Sequence, residues 1–404
     1  MKVKIEKSLL KGEIAAPPSK SIAHRLLICA GLSEGESVID NIAFSEDILA
    51  TLDCLEEMGA EIERGESFVK IEGISPPDIT ESKIFPARES GSTLRFFIPI
   101  ALLSEREHKF TGYGRLMERP MDVYEKLCGE KGLHFSRSDG KISVKGRLSS
   151  GEYTLRGDVS SQFVSGLLFA LPLCEGDSRI KLTDKVESRS YIDMTLSVMN
   201  DFGVMAEWEN ESTLYIKGSQ KYHGGNFTVE GDCSNAAFLD VFNYLGSAVR
   251  VKGLSKDTLQ GDRVYKEYFK KLYEGAPILD VSDCPDLAPI LMTLACALNG
   301  GILKGTARLR IKESDRGTVM KEELSKLGAD IEIKENEIVI KKSPLHKSKR
   351  LLCGHNDHRV VMSLSVISSL FGGEIEGAEA VRKSYPDFFE RLTEIGMEAK
   401  TVDD

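Results

Sequence analysis

Eight basic residues stand in or beside short motifs that recur along the chain: Lys20, Arg25, Arg95, Arg115, Lys312, Arg316, Arg359 and Lys383. A guanidinium fork suits carboxylate and phosphate, and an ammonium acts as a point charge. Any one of them alone reads as a solvated surface cation; their shared motifs suggest a substrate with several phosphate and carboxylate groups. Two carboxylates join them. Asp286 follows Pro285 at an expected helix start, and Glu313 lies in Lys312-Glu313-Ser314-Asp315-Arg316. Alone, Asp286 reads as a first-turn acid complementing the helix dipole, and Glu313 as half of a loop ion pair. Beside lysines in a pocket, either could serve as a general acid or base.

The elements that must position these residues repeat. Pro17-Pro18-Ser19-Lys20-Ser21 runs from a breaker through small polar residues into an apolar helical stretch. The layout returns around Ser92, Ser161, Ser234, Asp286 and Asp357, at intervals of 71, 69, 73, 52 and 71 residues. Each marker is expected to open a helix whose first N–H groups lack an intrahelical partner, an end that attracts anions. Between markers a second helical stripe ends at glycine, as at Ile48–Gly59, and two short strands follow. The unit reads β-α-β-α-β-β, with a shorter fourth copy. A unit of about 70 residues buries its faces poorly alone, so three to a domain are expected. The expected domains are 15–228 and a discontinuous one made of 1–14 and 229–404.

Composition narrows the function. The chain has 404 residues, a net charge of −10, 41% hydrophobic and 29% charged residues. An acidic balance argues against nucleic-acid and membrane-surface partners. No apolar run approaches the ~20 residues of a membrane span. The eight cysteines form no Cys-x-x-Cys pair and mostly sit in apolar runs, as reduced thiols of a cytoplasmic protein do. No Gly-x4-Gly-Lys-Ser/Thr loop exists, and no Gly-x-Gly-x-x-Gly follows a strand, so nicotinamide cofactors are unsupported. His355-x-x-His358 is half of a metal site that nothing completes, so no metal is expected. His24 reads as a packed or helix-surface histidine.

In order and spacing, Pro18-Ser19-Lys20-Ser21-x3-Arg25, Gly91-Ser92-x2-Arg95, Arg115-x3-Arg119-Pro120, Ser160-Ser161-Gln162, Lys312–Arg316, Asn356-Asp357-His358-Arg359 and Lys383-Ser384-Tyr385-Pro386 give the chain a close resemblance to the 5-enolpyruvylshikimate-3-phosphate synthase family. The resemblance covers essentially the whole length. It implies the enolpyruvyl transferase fold, α/β (α+β), with two domains of three β-α-β-α-β-β repeats in pseudo-threefold symmetry and an active site in the cleft between them. It implies transfer of enolpyruvate from phosphoenolpyruvate to the 5-hydroxyl of shikimate 3-phosphate, through a tetrahedral adduct, on the route to chorismate and the aromatic amino acids. It also implies a cytoplasmic monomer with no cofactor, whose domains close on ligands, and glyphosate as an inhibitor.

By the same resemblance, Ser21, Arg25, Ser160, Ser161, Ser188 and Tyr191 contact shikimate 3-phosphate, and Gln162 lies between the substrates. Lys20, Gly91, Arg95, Arg115, Arg316, Arg359 and Lys383 form the phosphoenolpyruvate side. Asp286 is the base for the 5-hydroxyl and holds the ring hydroxyls with Lys312. Glu313 is the acid that protonates the enolpyruvyl methylene. Lys20 and Lys383 complete the catalytic set. Two segments depart from the family pattern. Glu89-Ser90-Gly91-Ser92 replaces Asn-Ala-Gly-Thr, so no asparagine contact is carried over. The segment before Lys312 is short, and no contact is carried over for Arg308 or Arg310. The alternatives are the related transferase acting on UDP-N-acetylglucosamine and a catalytically silent relative. The first expects Lys-Asn after the breaker, where Lys20 is followed by Ser21, and a loop cysteine that is not found before Arg115.

Overall fold

The computed structural model describes residues 1–74, 76 and 79–402. The chain forms two compact units, Pro18–Glu230, and Met1–Pro17 with Gly231–Asp404. Each has its own hydrophobic core.

Pro18–Glu230 contains helices α1 (Lys20–Gly31), α2 (Glu46–Met58), α3 (Gly91–Ala101), α4 (Asp122–Glu130), α5 (Ser161–Ala170) and α6 (Arg189–Asp201). Among the described residues they alternate with three four-stranded sheets of identical order. One runs Ile84–Pro86, His108–Thr111, Lys141–Lys145, His134–Ser138. Its first two strands pair in parallel and the rest antiparallel. Chain order is therefore β-α-β-α-β-β. The parallel pair needs a crossover helix, and the antiparallel pair is a hairpin. Helices α1, α3 and α5 are buried almost throughout. The second helices bury one stripe, and α2 ends at Gly59, whose φ of 117° is the left-handed cap that glycine allows.

The other unit contains α7 (Cys233–Asp240), α8 (Tyr265–Glu274), α9 (Ala288–Ala297), α10 (Arg316–Ser325), α11 (His358–Phe371) and α12 (Phe388–Glu394). Two of its sheets repeat the same four-strand order. The last of these, Leu352–Cys353, Gly373–Glu376, Lys2–Ile5, Ala399–Val402, takes its third strand from the start of the chain. The short fourth interval has a simple cause. Lys11–Ala15 and Ala248–Lys252 form only a two-stranded parallel pair, and the hairpin is missing: α8 ends at Glu274 and the next strand starts at Ile278.

The unit boundaries fall after Pro17 and Glu230, rather than after 14 and 228. The shift is only two or three residues, and the leading strands, Ala15 alone excepted, stay with their partners under either set of bounds. Lys11–Ala15 precedes α1 in sequence but pairs with Ala248–Lys252, and Asn226–Thr228 precedes α7 but pairs with Glu36–Asp40. Each leading strand crosses to the other repeat before the boundary.

Five of the six markers lie at the first turn of an α-helix. The exception is Asp286, which sits in the 3₁₀ turn Pro285–Leu287 ahead of α9. The small polar residues largely serve as N-caps. Ser90, Ser160, Asp232 and Asp357 accept from Thr93, Gln162, Asn235 and Arg359 N–H. These bonds satisfy one orphan donor per helix and account for the recurring residue types without a ligand.

Candidate active site

In Pro18–Glu230 the starts of α3 and α5 are tied by side chains. Arg95 donates to Gln162 Oε1 at 2.6 Å, and Gln162 Nε2 donates to Ser92 Oγ at 2.7 Å. Arg25, on α1, is buried, with Nε on Thr195 Oγ1 (2.8 Å), Nη1 on Ser21 O (2.6 Å) and Nη2 on Tyr191 O (2.8 Å). All its acceptors are neutral, and burial lowers its pKa to about 10. A desolvated cation without a carboxylate is a natural anion receptor. Tyr191 also lies beneath this guanidinium, 6.0 Å from ring centre to carbon. Ser188, just ahead of α6, holds a left-handed φ of 55°, an uncommon conformation for serine that fixes the turn into Tyr191. Ser161 is buried at the start of α5 and Ser160 caps it. Lys20 Nζ pairs with Asp47 at 2.6 Å.

Gly91 explains the local chemistry of α3. A Cβ there would lie 2.4 Å from Arg119 Nη1 and 3.4 Å from Arg95 Nη1. Glycine thus lets two guanidinium groups approach the helix start. Arg115 is not brought to this cluster. It is 58% exposed and faces Glu118 at 3.9 Å. Both arginines stand in one motif, and the 3₁₀ turn Leu116–Glu118 between them decides which faces α3. In the sequence, the one signal for Arg119 is its place before Pro120 in the Arg115-x3-Arg119-Pro120 motif. Glu89 lies against Gly114, where an added Cβ would overlap its carboxylate.

The other unit gathers charges of both signs around Arg316, which is 1% exposed. Its guanidinium donates to Asp286 Oδ1 (2.6 Å), Glu313 Oε2 (2.7 Å) and Asp357 Oδ2 (2.9 Å). Ser314 also donates to Asp357. Lys312 Nζ lies 3.2 Å from Asp286, and Arg359 Nη2 lies 3.8 Å away. Arg359 also points Nη1 at Asn235 Oδ1 (3.4 Å). Lys383 Nζ donates to Asn356 O at 2.8 Å. Burial alone would raise the Asp286 carboxyl; Lys312, Arg316 and Arg359 outweigh it and hold that carboxyl well below the usual range. Lys312 is lowered by burial, partly opposed by Asp286. An ionised, partly exposed Asp286 can accept a proton, and the cations beside it can stabilise developing negative charge.

Several sequence expectations resolve at this site. Arg316 is held by three carboxylates, so its resting partners are protein groups. Asp357, which marked a repeat, is a fully buried arm of the cluster. Arg308 and Arg310 donate to backbone carbonyls, at Ser282, Lys334 and Glu335. His24 is packed inside and bonds Thr51 at 2.7 Å. His355 and His358 face different acids, Glu323 and Asp357. Among the described residues no group of three or more His, Cys, Asp or Glu side chains is arranged to hold a metal.

Residues 5–392 match the family described as EPSP synthase (3-phosphoshikimate 1-carboxyvinyltransferase). A 3-phosphoshikimate 1-carboxyvinyltransferase of Clostridium kluyveri is 41% identical, across 98% of this chain and 97% of the relative. One of Clostridium acetobutylicum is also 41% identical, over 98% and 97%. An EPSP synthase structure from Acinetobacter baumannii shares the fold, with a TM-score of 0.79 at 23% identity, covering 99% of this chain and 100% of that one.

Proposed function

We propose, from the premise that this chain belongs to the EPSP synthase (3-phosphoshikimate 1-carboxyvinyltransferase) family, that its two units divide one reaction: Pro18–Glu230 receives shikimate 3-phosphate, the other unit supplies the proton-transfer acids, and both lend cations to phosphoenolpyruvate. The chain is a transferase that moves the enolpyruvyl group of phosphoenolpyruvate to shikimate 3-phosphate, releasing phosphate, in aromatic biosynthesis. The observation carrying the division is the placement of Asp286 between Lys312 (3.2 Å) and Arg316 (2.6 Å), with Glu313 on the same guanidinium.

In this reading Arg25, Ser21, Ser160, Ser161, Ser188 and Tyr191 receive shikimate 3-phosphate, and Gln162 lies between the substrates. Lys20, Gly91, Arg95, Arg115, Arg316, Arg359 and Lys383 serve phosphoenolpyruvate, with Arg119, which lies beside Gly91, as a further cation. Glu313, which must carry a proton when both substrates are bound, gives it to the methylene carbon of phosphoenolpyruvate, and C2 becomes electrophilic. The 5-hydroxyl adds to C2 and its proton passes to Asp286, with Lys312 steadying the ring hydroxyls. The tetrahedral adduct then loses phosphate from C2 and returns a proton from the new methyl to the Glu313 carboxylate, which restores the enol ether and the acid. Preorganised cations stabilise the charge on the adduct and on departing phosphate.

The two units closing around the anions belongs to the same proposal. A site completed from both would be drawn together by negative charge between cationic walls, and small-angle scattering should show a smaller radius of gyration with both ligands. Glyphosate would occupy the phosphoenolpyruvate side. We read the protein as a cytoplasmic monomer; its eight cysteines are free thiols, suited to a reducing compartment. A coupled phosphate-release assay tests the activity. Release should require both substrates. Release with UDP-N-acetylglucosamine in place of shikimate 3-phosphate, or none with any acceptor, would contradict the assignment.

A further inference from the structure

Loop Cys353–Asp357 is held on both sides by one helix face. Arg316 and Glu323 stand seven residues apart on α10, two turns along the same side. Arg316 grips Asp357 at one end of the loop. Glu323, 2% exposed, grips the other. Its carboxylate accepts from Cys353 N–H (2.9 Å), pairs with His355 Nε2 (2.9 Å), and takes both oxygens to Lys326 Nζ (2.8 and 2.7 Å).

Between these grips the backbone is unusual. His355 and Asn356 hold φ of 48° and 53°, two consecutive left-handed residues that are not glycine. Such conformations persist when surrounding contacts over-determine them. The loop has no room to relax at its start: a Cβ on Gly354 would lie 2.4 Å from Val361 Cγ2 and 3.0 Å from Gly377 O. The outcome is an Asn356 carbonyl presented to Lys383 Nζ at 2.8 Å, immediately ahead of Asp357.

We infer that Glu323, acting through His355 and the Cys353 N–H, is a positioning residue that sets the left-handed turn from which Asn356 orients Lys383. It touches no substrate. Its effect on catalysis rests on the reading that Lys383 serves phosphoenolpyruvate, while its effect on Lys383 itself does not.

Two variants loosen the tether by different routes. Glu323→Gln removes the charge that gathers Lys326, His355 and Cys353. His355→Asn keeps a side chain that tolerates the left-handed turn but shortens its reach. In the ligand-free enzyme, the acylation rate of Lys383, followed by mass spectrometry, should rise at least about threefold in both, as its ammonium loses a fixed acceptor. The KM for phosphoenolpyruvate should rise about tenfold, with the KM for shikimate 3-phosphate within about twofold. In a Lys383→Met background, Glu323→Gln should add less than about twofold. Unchanged acylation in both variants would overturn the inference, as would equal losses in both backgrounds or a fall in melting temperature alone. If Lys383→Met leaves the KM for phosphoenolpyruvate unaltered, the substrate reading of Lys383 fails, and the acylation rates still decide the tether.

Discussion

In Pro18–Glu230 the buried guanidinium of Arg25 meets only neutral oxygens, whereas in the other unit Arg316 meets three carboxylates. Both are arginines on helices and both are buried. The first is a charge without a counter-charge, which burial penalises and an anionic ligand would compensate. The second is a hub whose removal would leave Asp286, Glu313 and Asp357 facing one another with less positive charge. In the proposed reading the first receives shikimate 3-phosphate, while the second orders the acids and also serves phosphoenolpyruvate.

Substitution should separate the two most sharply through stability. Arg316→Met leaves buried carboxylates uncompensated and should cost about 3–5 kcal/mol, the range for breaking a buried pair from one side. Arg25→Met should cost far less, because no acid is orphaned. Urea denaturation of both variants checks this, and equal losses would erase the contrast.

Proton transfer gives the next largest effect. Asp286→Asn and Glu313→Gln should each lower turnover by about 10²-fold or more, the share of a general acid or base. Steady-state rates at saturating substrate are the measure; near-normal turnover in either variant would remove that residue from proton transfer.

Gly91→Ala is a smaller perturbation, in Pro18–Glu230. The new methyl must push the Arg119 guanidinium aside. The KM for phosphoenolpyruvate should rise several-fold, in line with loosening one charge-assisted contact, and the inhibition constant of glyphosate should rise more. Unchanged constants would take Gly91 and Arg119 out of the site.

The smallest effect is in acid. Asp286 is held below its ordinary value in the folded chain. Its ionised form therefore contributes stability above the unfolded value of about pH 4, and that contribution is lost as falling pH protonates it. The urea midpoint should decline more steeply below about pH 4 for the unsubstituted protein than for Asp286→Asn. Parallel curves would mean that the cations around Asp286 do not hold it ionised.

The repeat was legible because breaker, small polar residues and apolar run recur at nearly constant intervals, and local chemistry alone sets caps such as Ser90 and Gly59. The fourth interval announced a deletion but could not say which strands were missing, since sheet pairing is not local. The split of the chain into units was nearly legible: Asn226–Thr228 and almost all of Lys11–Ala15 fall on the side that the expected bounds assign, with their distant partners. At the site, residue types were readable and their company was not. Arg316 and Asp357 are 41 positions apart, and only the folded chain brings them together. Arg115 and Arg119 were indistinguishable by motif, because an irregular turn, not a period, aims them.

The division between the units is tested most directly by single-turnover phosphate release from Arg25→Met and Asp286→Asn, each titrated with shikimate 3-phosphate at saturating phosphoenolpyruvate. For Arg25→Met, half-saturation should shift by about tenfold or more, the loss of a charged hydrogen bond. The plateau rate should stay within a few-fold. For Asp286→Asn the plateau should fall about 10²-fold or more, with half-saturation changing much less. Both variants losing plateau rate alike, or Asp286→Asn shifting only the half-saturation, would contradict the division.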